Sequence, residues 1–103
     1  MVRITKTVAE KMLGDVPREK SFWCSDGRVL RNLRELEAAL RDMGEETFGH
    51  HSSETHNDFS NWVRDVIGDE KLSRDLRKSA TRVQAAKKVS DRIAWLQSKT
   101  AGA

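Results

Sequence analysis

Among its 103 residues the chain has one cysteine, one proline, no tyrosine and six aromatic residues, three Phe and three Trp. The lone Cys24 excludes an intramolecular disulfide and agrees with a reducing compartment. No apolar run approaches the roughly 20 residues that span a bilayer. The opening MVRITKTVAEKML lacks the uninterrupted apolar core of a signal peptide. The expectation is a soluble, cytoplasmic protein with no membrane insertion. Familiar ligand spacings are missing as well: there is no CxxC, no HExxH and no HxxxH on one helix face. The run CSDGRVL has a single glycine and lacks the Lys-Ser ending of a phosphate loop, so Gly27 reads as turn geometry.

What is present is charge, and it is unevenly placed. Residues 1–43 carry nine Lys/Arg and seven Asp/Glu, residues 44–70 one and seven, and residues 71–103 nine and two, for net charges of +2, −6 and +7. Solvated helix faces that differ in sign explain this most simply; two surfaces with different partners are the alternative. The length suits one domain with its own core and is too short for two.

Apolar periodicity is helical. Val29, Leu33, Leu36, Leu40 and Met43 step by four, three, four and three, one stripe along about four turns of helix, with Ser25, Asp26 and Gly27 as turn and cap and Gly44 as its stop. A short turn of helix follows from Glu45 to His50, its acidic start suiting the positive end of the helix dipole. Asn57 or Asp58 caps the next helix, whose stripe is Phe59, Trp62, Val63, Val66 and Ile67, ended by Gly68. Leu72 and Leu76 are the buried pair of a following short helix, and Val83, Ala86, Val89, Ile93 and Leu96 form the stripe of the last. Ile4, Val8 and Met12 give a weaker N-terminal helix that Gly14 and Pro17 terminate. SFWC at residues 21–24 could be extended, but no second strand signal pairs with it. The predicted fold is all-α, a single irregular bundle of four or five helices. Within that single domain, residues 1–13 are a helix or a loosely attached segment, 14–97 the core and 98–103 a frayed tail.

The segments FWCSDGRVLRNLRELEAAL, Phe48 with His51 three residues on, and above all NDFSNWVRDVIGD followed by KL, resemble an uncharacterised family of small helical domains. That family is associated mainly with archaea and some bacteria, where it occurs alone or attached to larger proteins. The resemblance covers roughly residues 13–97 and implies no established activity. Its recurrent polar positions match His51, Asn57, Asp58, Asn61 and Trp62, whereas His50 and His56 lie outside its pattern.

The densest polar stretch is Phe48 to Asp69, which holds all three histidines. His50, His51, His56 and Asp58, with Cys24, offer donor atoms for a transition metal, yet adjacent His50 and His51 diverge by about 100° on a helix. His51 reads as a hydrogen-bonded structural histidine, and no metal and no cofactor are assigned. A pocket of His51, Asp58 and Asn61 oriented by Trp62 could supply an Asp–His base pair. No nucleophile is placed beside it, because Ser60 sits in no elbow motif and Cys24 lies in another segment. The chain is therefore expected to be no enzyme, with no catalytic residues. Asn57 and Asp58 read first as caps, with Asn61 bonding back to the preceding loop.

Metal or small-ligand binding around His51, Asn57, Asp58, Asn61 and Trp62 is the second alternative, and two partner classes stand ahead of it. Phe22, Trp23 and Trp95 lie outside the main stripes and are candidate anchors for a protein partner, Trp95 foremost because it sits off the stripe of the last helix. The leading expectation is a helical protein-interaction or adaptor module. Nucleic acid is the alternative, through Lys71, Arg74, Arg77 and Lys78 on one basic face and the basic C-terminal region. Asp69 and Glu70 at the start of that helix would oppose docking there by repulsion. No sustained heptad demands a dimer through the last helix.

Overall fold

The computed structural model describes residues 3–101, so the first two and last two residues of the expected terminal segments lie outside it. Helix α1 (Lys6–Leu13) begins where the Thr5 hydroxyl accepts the Val8 N–H at 3.2 Å, and it buries Ala9 and Met12. After Pro17 a 3₁₀ turn (Arg18–Lys20) leads into strand β1 (Phe22–Trp23), which pairs antiparallel with β2 (Val29–Leu30). The predicted bundle thus gains a small hairpin. Its turn is local chemistry: the Cys24 N–H donates to the Arg28 carbonyl at 2.8 Å, Asp26 Oδ1 accepts the Arg28 N–H at 3.1 Å, and Gly27 takes φ 98. Strand alternation then turns Phe22 and its partner Leu30 inward and Trp23 and its partner Val29 outward.

Val29 therefore does not belong to the helical stripe. It lies four residues before Leu33, so a helical period and a short strand both accommodate it. Helix α2 (Leu33–Asp42) starts instead at Asn32, whose side chain accepts the Glu35 N–H at 2.8 Å while Glu35 accepts the Arg31 N–H at 2.8 Å, a close variant of the capping box. Its buried face is Leu33, Leu36, Ala39 and Leu40, with Met43 just beyond.

Six α-helices are present among the described residues, where four or five were expected. Helix α3 (Glu45–His51) buries Phe48 and His51. Helix α4 (Asp58–Trp62) is capped by Asn57, whose side chain accepts the Ser60 N–H at 2.9 Å, and runs on into a π-helical turn (Val63–Ile67). That turn closes with the Gly68 N–H on the Val63 carbonyl at 2.8 Å, and Gly68 adopts φ 86. The wider turn leaves Val66 half-buried while Val63 and Ile67 stay in the core. Asp69 then caps helix α5 (Glu70–Lys78), which buries Leu72, Ser73 and Leu76. α4 and α5 meet at serines: the Ser60 hydroxyl donates to the Ser73 carbonyl at 2.8 Å and the Ser73 hydroxyl to the Ser60 carbonyl at 3.0 Å. Side chains this small let the two backbones approach closely while each hydroxyl finds an acceptor.

Helix α6 (Arg82–Thr100), capped by Thr81, packs across both α1 and α2. Its buried face is Ala85, Ala86, Val89, Arg92, Ile93 and Leu96; Val83, expected in that stripe, is 67% exposed. The first turn overhangs the core, and there Arg82 donates to the Arg41 carbonyl at 2.8 Å and to Glu45 at 2.8 Å, tying α6 to the end of α2. Regular helix runs through Thr100, into the segment expected to fray. The radius of gyration, 13.1 Å, is that of a folded chain of about this length. No helix among the described residues is long and apolar enough to cross a membrane.

Candidate functional site

His51 closes α3 with its ring wedged between Phe22, edge-on at 5.1 Å, and Phe59 at 5.4 Å. Both ring nitrogens are engaged. Nε2 accepts the Ser25 N–H at 2.9 Å, so the imidazole proton sits on Nδ1 and is donated to Asp58 Oδ2 at 2.9 Å. An Asp–His pair whose far nitrogen is taken by a backbone amide has no lone pair left for a substrate proton. Its structural effect is clear: His51 fastens the hairpin turn at Ser25 to the start of α4 at Asp58.

The other members of the expected pocket point elsewhere. Asn57 divides its side chain between capping α4 and donating to the Leu76 carbonyl at 3.3 Å, which ties α4 to the end of α5. Asn61, expected to bond back to the loop, is exposed, and its side chain makes no hydrogen bond among the described residues. Trp62 is buried and donates its indole N–H to the Lys20 carbonyl at 2.8 Å, pinning the 3₁₀ turn rather than orienting a ligand. His56 bonds Ser53 Oγ at 2.9 Å and lies 3.2 Å from the His50 carbonyl oxygen, and the His50 ring, expected to diverge from His51, meets it edge-on with centroids 4.9 Å apart. Among the described residues no three His, Cys, Asp or Glu side chains gather where they could hold a metal ion.

Of the aromatic anchors, Phe22 is core: it stacks on Phe59 at 5.2 Å and meets Trp62 edge-on at 5.9 Å. Trp95 is 40% exposed, but the Arg92 guanidinium lies 4.4 Å and the Lys99 ammonium 5.0 Å from its ring centroid. Trp23 is the most open of the three tryptophans at 64%, and its cross-strand partner Val29 is also exposed. Val29 continues into a crevice of about 340 Å³ shared with Leu30, Ala38, Ala39, Arg28 and Glu35. Strand alternation at SFWC, had a second strand been recognised at Val29, would have marked Trp23 as outward-facing.

The basic face predicted on α5 is smaller than expected. Lys71 pairs with Asp75 at 2.7 Å, and Arg77 turns toward the serine contact, donating to Ser60 Oγ and Ser73 Oγ at 3.3 Å each. Arg74 and Lys78 are exposed and have no carboxylate partner among the described residues. The acidic start is altered too. Asp69, expected to repel a phosphate, is 1% exposed and held by Arg92 through bonds of 2.6 and 3.0 Å. Its charge is spent inside the protein, and only Glu70 remains at the surface. Sequence periodicity had no means of finding Arg92, a cation inside an apolar stripe, because its partner lies 23 residues away.

Compared with protein-family models, curated proteins and solved structures, the chain matches none.

Proposed function

We propose that this chain is a non-enzymatic helical interaction module that docks a protein partner through the outer face of its hairpin. The observation that carries this is the cross-strand pair of Trp23 and Val29, both exposed on a strand pair whose inner residues are locked into the core. An exposed tryptophan on a strand whose neighbouring residue Phe22 is buried in the core has the character of an interface hot spot. The crevice beside Val29 offers apolar walls from Leu30, Ala38 and Ala39 with Arg28 and Glu35 at its lining, an apolar centre with polar neighbours. The saturated hydrogen bonding of His51 supports the non-enzymatic part of the reading, since it removes the one dyad that could have served as a base.

The family resemblance belongs to the same proposal. Within NDFSNWVRDVIGD, Asn57 and Asp69 are caps and Phe59, Trp62, Val63 and Ile67 lie in the core. A motif with that role preserves a scaffold and leaves recognition to other surfaces. The test compares affinity capture from the source cells by the native protein and by Trp23→Ser. A partner retained by the native chain, lost by the variant, and bound again when both are purified would support the reading. Identical recoveries from the two would overturn it.

A further inference from the structure

The C-terminal half holds a second surface, independent of the hairpin. Where α5 ends and α6 begins, Asp75, Lys78, Ser79, Gln84, Lys87 and Lys88 line a crevice of about 400 Å³. Three lysines from two helices line this space with one carboxylate, Asp75, which is paired with Lys71 at 2.7 Å. Lys87 has Asp91 at 3.0 Å, while Lys78 and Lys88 have no carboxylate partner among the described residues. The Gln84 carbonyl oxygen is taken by the Ala80 N–H at 2.8 Å, which leaves its amide NH₂ as a donor toward the crevice. The donors are cationic or neutral N–H groups, a lining suited to an anion with several acceptor oxygens.

Trp95 lies seven residues beyond Lys88 on α6. Seven residues are about two turns, so it shares the face of Lys88 roughly 10 Å further along. The Arg92 guanidinium, tied to Asp69, and the exposed Lys99 ammonium lie over its ring at 4.4 and 5.0 Å from the centroid, so a base that stacks there takes the place of the Lys99 ammonium. Phosphate-binding cations followed on one helix face by a partly exposed aromatic ring are the parts from which single-strand binding surfaces are made. A duplex hides the faces of its bases and would use only the cations, and a chain of acidic residues alone, such as polyglutamate, has no ring or apolar group to set on Trp95.

We propose that the α5–α6 crevice binds the phosphate backbone of single-stranded nucleic acid, with Trp95 as the platform for a neighbouring base. Phosphate oxygens accept from Lys78, Lys87, Lys88 and Gln84, and the strand runs along α6 toward its C-terminus.

The test is fluorescence anisotropy with labelled oligouridine and oligodeoxythymidine at about 50 mM salt, read together with tryptophan emission. Blunt duplex DNA and polyglutamate serve as comparison ligands. Single strands are expected to bind and to quench tryptophan emission, and log K should fall with log salt at a slope of about −2, roughly −0.7 for each of three lysines. Lys78→Glu/Lys88→Glu should weaken binding at least about tenfold, and Trp95→Leu should weaken it about fivefold and abolish the quench. These side chains are exposed, and an unchanged melting curve verifies that each variant is folded. Preference between the two oligomers identifies RNA or DNA as the source of the strand. No binding at low salt, equal binding of duplex or polyglutamate, or native-like binding by the lysine variant would each overturn the proposal.

Discussion

Single side chains in this protein are more committed than their chemistry suggests. His51 spends both nitrogens on Ser25 and Asp58, Ser60 spends its hydroxyl on Ser73, and Trp62 spends its indole N–H on Lys20. Cys24 follows the same rule: it is 7% exposed, and burial pushes its thiol up from the ordinary value. Only the thiolate attacks an alkylating agent, so both burial and the raised pKa slow the reaction. Iodoacetamide at mildly alkaline pH should label native Cys24 at least about tenfold more slowly than the urea-unfolded chain. Mass spectrometry of quenched time points measures this, and equal rates would contradict the burial described. His51 was legible from the sequence as a structural histidine, and so was its neighbour Asp58 seven residues on, but its other partner was not, since Ser25 lies 26 residues away.

At the scale of elements, caps decide the boundaries. Asn57, Asp69 and Thr81 each accept the N–H three residues on, and each begins a helix where the sequence places a short polar side chain before an apolar period. Gly68 ends the α4 unit in the left-handed region at φ 86, and the space where its Cβ would stand is empty. Replacing it with alanine therefore costs backbone conformation, not a clash: Gly68→Ala should destabilise by about 1–2 kcal/mol. Gly49 sits inside α3 with equally open space and no positive φ, so Gly49→Ala should stabilise by about 0.5–1 kcal/mol. Urea denaturation midpoints for the pair test this, and a shift of the same sign in both would refute the distinction. The hairpin escaped sequence reading for a physical reason. Two residues per strand are too few to display a period of two, and Val29 also satisfies the helical spacing to Leu33.

For the molecule as a whole, the Asp69–Arg92 pair is the main polar tie within the core. It joins the cap of α5 to the middle of α6, with 1% and 9% of the two side chains exposed. Removing one partner strands the other charge away from water. Asp69→Ala should cost about 3–5 kcal/mol, and Asp69→Ala/Arg92→Met should recover part of that loss. Urea unfolding of both variants measures it; a loss under about 1 kcal/mol in the single variant would mean the pair is not buried as described.

Helical periodicity is a property of neighbours three and four residues apart, so the sequence by itself determined the Leu33–Leu36–Leu40–Met43 stripe, the Leu72–Leu76 pair, a cap at Asn57 or Asp58 and the predominantly helical fold. Tertiary structure alone decided which polar groups are hidden and which surfaces are shared. It buried Asp69 against Arg92, left Val83 in solvent, set Trp23 outward against Val29, and brought Lys78 beside Lys87 and Lys88. Each of these depends on which segments distant in the chain come into contact, and no local spacing encodes that.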